Sequence, residues 1–255
     1  MTIAFQPGME TELSTLHTPE AIRLRLRESL RPSLIRDAIL GATDGCVTTF
    51  AVVAGAIGGD LPAKVVIILG CANLMADGFS MAASNFLGAR TQNEELEEAR
   101  AEEGRHIDGV PEGEREEVRQ IFSAKGFSGA ELESVVAVIT ADRSRWVDTM
   151  VTEELGLHNR DAKPLRAATV TFASFCVSGL FPLAAYLVPG VPGDWRFRAS
   201  CAATAITFAG IGYFKGAILN RPRWKSACLT LLLGGGAAVS AYGVGFGLKS
   251  LMGLP

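Results

Sequence analysis

Charge is missing from long stretches of this chain. Ala167 to Pro189 and Ser226 to Leu248 hold none, and Ala199 to Leu219 has only Lys215 near its end. Ala38 to Gly58 carries Asp44 alone, and Pro62 to Gly88 carries Lys64 and Asp77. Buried helices of soluble proteins rarely run this far without charge, whereas a span needs about 20 mostly apolar residues. Paired cysteines are missing too: Cys46, Cys71, Cys176, Cys201 and Cys228 are an odd, scattered set with no CxxC spacing, which argues against a disulfide framework. The first residues lack an apolar core, so no cleavable signal peptide is expected. No period-two strand pattern and no internal repeat is present. What remains is an all-α, polytopic membrane protein with five transmembrane helices.

A hydrophobic fraction of 48% does not decide this class, since soluble domains reach about that level. The mean hydropathy of +0.25 points the same way as the runs, but the uneven distribution carries the argument. Glycine and other small residues inside the runs suit close helix contacts in lipid, where the backbone must be satisfied within the helix.

Arg23, Arg25, Arg27, Arg31 and Arg36 precede the first span, and the positive-inside rule then puts the N-terminus in the cytoplasm. Counting onward, the loop with Arg221, Arg223 and Lys225 also falls inside, although Arg196 and Arg198 fall outside. The chain divides into a cytoplasmic N-terminal arm (1–35), helices 1 and 2 (36–90), an acidic insert (91–162) and helices 3 to 5 (163–255). Within the arm, residues 1–20 read as poorly ordered and Pro19 to Leu30 as a basic amphipathic helix on the membrane surface.

The insert holds most of the chain's 27 acidic residues and, by the same count of spans, stays in the cytoplasm. Three helices fit it. Thr91 to Ile107 continues the second span. Glu112 to Lys125 follows Pro111, a good helix opener. Ser128, with Glu131 three residues later, reads as a capping box opening a helix to Leu155, with Gly156 as C-cap.

Three constellations go beyond solubility. Asp44, within Gly41-Ala-Thr-Asp44-Gly45, is a carboxylate inside a span, which costs about 2.5–3.5 kcal/mol even on the lenient insertion scale and marks an ion or proton site. Asp77, Met81 and Asn85 recur at i, i+4 and share one helix face. Asp44 lies eight residues past Arg36 and Met81 nine before Arg90, which sets both about 12–14 Å from the charged ends, so a hairpin would bring them to one level. A carboxylate with a thioether suits a borderline divalent metal. In the insert, Glu103 and His106 form E-x-x-H while Glu114 and Glu117 form E-x-x-E, each pair on one face. Met150 and Glu154, at i, i+4, offer ligands from the last helix. Carboxylates with imidazole suit Fe²⁺, Mn²⁺ or Zn²⁺. The run Glu94 to Glu98 reads as a solvated face.

The order Asp37-Ala-Ile-Leu-Gly-Ala-Thr-Asp44-Gly45, then Ser80-Met81-Ala82-Ala83, then an acidic insert closing in Glu154-Leu155-Gly156-Leu157, resembles the vacuolar iron transporter family from about Arg31 to Gly253. The resemblance implies a homodimer of five-helix subunits with a cytoplasmic three-helix metal-binding domain between helices 2 and 3. It implies export of Fe²⁺, and often Mn²⁺, from the cytosol in exchange for protons, across a bacterial inner membrane or a vacuolar membrane. Asp44 and Met81 fall on the family's transmembrane carboxylate and methionine. Glu103, Glu114, Glu117, Glu154 and Met150 fall on its insert ligands. His106 stands where a glutamate is usual, Val151 where some members have a second methionine, and Asn85 where a glutamate is usual, with Asp77 on the same face. The ion is cargo rather than a resident cofactor; the expected partners are metal ions, protons, the bilayer and a second copy, with no nucleic acid. An enzyme of the di-iron carboxylate class would need a second E-x-x-H, which neither His17 nor His158 supplies. A metal sensor that transports nothing would leave Asp44 without a purpose.

Overall fold

The computed structural model describes residues 17–29, 34–157 and 163–252, and within these the chain is entirely helical. Arg31, His158, Asp161 and residues 1–16 of the arm lie outside the described residues. The helices are α1 (Pro19–Ser29), α2 (Leu34–Gly58), α3 (Ala63–Gly109), α4 (Pro111–Ala124), α5 (Gly129–Thr140), α6 (Arg143–Glu153), α7 (Pro164–Leu187), α8 (Gly193–Ile218) and α9 (Arg223–Met252). Five of them, α2, α3, α7, α8 and α9, are long and apolar enough to cross a membrane. They correspond one for one to the charge-poor runs in the sequence.

The contacts fall into two compact units, residues 33–88 with 164–255 and residues 1–32 with 89–163; α3, a single helix of 47 residues, contributes to both. In the first unit α2 lies against α7. Gly41 and Gly45 face that helix so closely that a Cβ at Gly45 would sit 2.2 Å from the Phe175 carbonyl oxygen, and one at Gly41 2.3 Å from that of Thr171. These are the small-residue contacts expected where lipid offers helices no hydrophobic drive to associate. Pairs 41–171 and 45–175 keep a constant offset, so α2 and α7 run parallel, and Phe175 and Leu183 close the core between them and α3. Pro182 sits inside α7, and the Ser200 hydroxyl of α8 donates to its carbonyl at 2.6 Å.

The second unit packs the end of α3 with α4, α5 and α6 around Ile107, Val118, Val136, Trp146 and Met150. Pro111 opens α4 as its sequence position suggests. Two expectations need correcting. The stretch after Ser128 is two helices rather than one, because Asp142 caps a new start: its Oδ1 accepts from the Arg145 N–H at 2.8 Å. An Asp that satisfies an orphan N–H in this way competes with helix continuation. Ser128 is indeed the residue before α5, but its hydroxyl makes no cap hydrogen bond, so the capping box is not formed. Ion pairs tie these helices on the outside: Arg119 to Glu116 and Glu133, Arg100 to Asp148 at 2.6 Å, and Arg143 to Asp108 at 2.7 Å.

Candidate metal sites

In the first unit the polar site grows from the α2–α3 hairpin. The Thr48 hydroxyl donates to the Asp44 carbonyl one turn back at 3.0 Å and accepts from Asn73 Nδ2 of α3 at 3.3 Å. In an antiparallel hairpin that contact fixes the register. Asp44 is four residues before Thr48 and Asp77 four after Asn73, so the two carboxylates stand on facing turns. They are close enough to repel each other electrostatically. Asp44 is half-buried and Asp77 exposed, and among the described residues no lysine or arginine pairs with either. Met81, partly buried against the core, lies one turn beyond, about 5–6 Å along the axis. The equal depth of Asp44 and Met81 counted from Arg36 and Arg90 is therefore off by a turn: the Thr48–Asn73 contact sets Asp77, not Met81, across from Asp44. Asn85 is engaged elsewhere, donating to the Thr171 hydroxyl of α7 at 2.7 Å.

In the second unit the turn at Gly109–Val110 folds α4 back so that its first turn meets the last turn of α3. Glu103, His106 and Glu114 each offer a ligand atom, all within 4.8 Å of one another, and His106 Nδ1 lies 3.7 Å from Glu114 Oε1. Glu103 and Glu114 are only 4% and 6% exposed, yet the Oε2 of each is buried without a hydrogen-bond partner. A buried, unpaired carboxylate oxygen is costly, and a cation between the two side chains removes the cost. Burial, then the charges of Glu117, Glu103 and Glu154, push the Glu114 carboxyl up to about 7, with His106 opposing. Burial and Glu154 likewise raise Glu103, and burial and Glu117 raise Glu154. Glu117 and Glu154, both exposed, thus belong to the same field at its rim. Met150 is fully buried in the apolar core of this unit, in one cluster with Val118 and Trp146.

Asn73 and Thr48 escaped the sequence reading. Asn73 was within reach of it, since it stands one turn before Asp77 on the face that continues through Met81 and Asn85.

Known proteins identify the family. The model of the VIT family matches residues 35–246. A vacuolar iron transporter of Toxoplasma gondii is 33% identical over 228 residues, covering 86% of this chain and 76% of that protein. Vacuolar iron transporter 1 of Oryza sativa is 30% identical over 212 residues, covering 83% and 84%. Vacuolar iron transporter 1 of Arabidopsis thaliana is 29% identical, covering 82% and 84%. With five apolar helices of spanning length, and a family model that covers all but the ends, this chain is a multi-pass membrane protein and belongs to the VIT family.

Proposed function

We propose that the protein is a proton-coupled transporter that moves Fe²⁺, with Mn²⁺ as a second cargo, out of the cytosol. The observation that carries the reading is the pair Asp44 and Asp77 on facing turns of two spanning helices, without a compensating cation among the described residues. Two carboxylates at that depth can hold a divalent ion, and protonating them removes the charge that holds it. Met81, one turn along, adds a soft ligand on the same face and favours a borderline ion over Mg²⁺ or Ca²⁺. The names of its relatives, iron transporters, support transport over catalysis.

The insert is the cytosolic collector in this scheme. Glu103, His106 and Glu114 hold the ion, and Glu117 and Glu154 at the rim complete the carboxylate set. The basic residues of α1 and of the loop at Arg221–Lys225 support an N-terminus and insert on the cytoplasmic side. Asp77, exposed on a spanning helix, supports a homodimer, because a second copy over that face spares a carboxylate from hydrocarbon and doubles the ligand count.

The deciding experiment is uptake into proteoliposomes loaded with a metal-sensitive dye, across a panel of ions, with and without an acid interior. Fe²⁺ uptake accelerated by the gradient is expected. Uptake no faster than in protein-free vesicles overturns transport, and uptake indifferent to the gradient overturns proton coupling.

A further inference from the structure

A groove of about 710 Å³ runs between α2, α7 and α8, bordered by Ile35 and Ala42, Val177 and Phe181, and Ile206 and Ile218. It belongs wholly to the unit of spanning helices. Its walls are hydrocarbon, and the three hydroxyls along it are already spent on their own helices. Ser174 donates to the Val170 carbonyl at 2.6 Å, Ser178 to Phe175 at 3.2 Å and Thr207 to Ala203 at 2.8 Å. These hydroxyls have no proton left to donate to an occupant, and the rest of the groove's length is apolar side chain.

One end is different. Lys215 lines it, half-buried, with no ion pair among the described residues. The Arg221 N–H donates to the Gly216 carbonyl at 2.8 Å, which folds the following loop against the face of α8 turned to α9 rather than to the groove. Arg223 opens α9 on that same face, its guanidinium donating to the Tyr213 hydroxyl at 3.0 Å, so its charge is turned away from the groove. Because α2 runs parallel to α7 and so antiparallel to α8, the exposed Arg36 of the first α2 turn is at this end as well. Asp37 beside it is the one acid of that turn. Along α8 the groove runs from Ile218 to Ala203, about 22 Å of helix. One leaflet of a bilayer contributes about 15 Å of hydrocarbon and roughly 6 Å of headgroup.

We propose that this groove is a binding site for one anionic phospholipid, its acyl chain along α8 and its phosphate at the end marked by Lys215 and Arg36. The match is in length, in the apolar walls and in the sign of the charge at one end only. A second copy of the chain fits less well: a two-fold contact about this end would set Lys215 and Arg36 against their own images.

The test is native mass spectrometry of the full-length protein, delipidated in detergent and then offered an equimolar mixture of phosphatidylglycerol and phosphatidylcholine with identical acyl chains. Wild type is expected to retain phosphatidylglycerol in clear preference. Lys215→Ala should cut that preference about fivefold, the effect of removing one surface cation near an anionic headgroup. Gly210 lines the groove and has nothing within 4 Å of a would-be Cβ, so Gly210→Phe should fill the space without a clash and abolish retention of either lipid. Thermal melting of each variant checks that it is folded. Equal retention of the two lipids by wild type, or a preference unchanged in Lys215→Ala, overturns the site as ordinary annular lipid. A loss of dimer mass in Gly210→Phe overturns it in favour of a second copy.

Discussion

Asn73 reaches across the α2–α3 hairpin to the hydroxyl of Thr48, and that one contact sets Asp44 opposite Asp77. The functional reading of the spanning helices hangs on this register, since a slip of a single turn would exchange Asp77 for Met81. Thr48 is itself anchored to the Asp44 carbonyl. Asn73 therefore positions the carboxylate pair without belonging to it.

Asp44→Asn and Asp77→Asn should each lower the initial rate of Fe²⁺ uptake at least about tenfold while leaving the protein folded, because each removes one of the two charges that hold the ion. Asn73→Leu should lower it less, by loosening the register. Uptake assays on purified, monodisperse variants check this ranking, and wild-type flux in folded Asp44→Asn would refute the role of the pair.

The close seam of α2 on α7 gives a structural prediction. Gly45→Val drives a side chain into the backbone of Phe175, a contact no rotamer relieves. Overpacking of this kind costs about 1–3 kcal/mol or more and should appear as a clear fall in melting temperature. Gly88→Ala on α3 meets nothing within 4 Å and serves as the control, expected to be neutral or slightly stabilising.

Asp142→Ala should destabilise the insert by about 1 kcal/mol, the usual worth of an N-cap side chain. Denaturant unfolding of the insert in the intact protein, followed through Trp146, measures it. An unchanged midpoint would mean that the Arg145 N–H finds another acceptor.

How much of this was legible in the sequence varies with the physics involved. The five spans were, because lipid forbids charge over some 20 residues and the runs show it. Glu103 with His106 was legible as one helix face, and the turn at Gly109–Val110 that brings Glu114 to it was announced by Pro111. The break at Asp142 was not, because the apolar residues on either side of it read as one helix and the cap shows only once the Arg145 N–H is seen on its carboxylate. Met150 and Glu154 share an i, i+4 spacing, yet spacing cannot say which of a helix's neighbours a side chain meets. The structure turns Met150 into the core beside Val118 and leaves Glu154 at the rim. The Asp44–Asp77 register needs a contact between helices, and counting from charged ends missed it by one turn.

The last prediction sets stability against metal capture at Glu114. Its carboxyl is pushed up to about 7, first by burial and then by the charges of Glu117 and Glu103. A carboxyl whose value is raised in the folded state contributes stability while it stays protonated, below its ordinary value of about 4.5, and loses it as pH rises through about 7. The metal-free insert should therefore melt at a lower temperature at pH 8 than at pH 5.5. Glu114→Gln removes the buried charge and should flatten that slope, melting above wild type at pH 8. Metal capture runs the other way. A divalent ion must displace the proton, so wild-type affinity should fall as pH drops through about 7, and Glu114→Gln should bind more weakly at every pH. Glu117→Gln, at the exposed rim, should weaken binding less. Calorimetric titration of the full-length protein with Mn²⁺, beside melting curves in chelator, reads both quantities. If Glu114→Gln bound the ion as tightly as wild type at pH 7.5 while melting higher, its raised value would belong to packing alone and the ligands would have to be sought among Glu117 and Glu154.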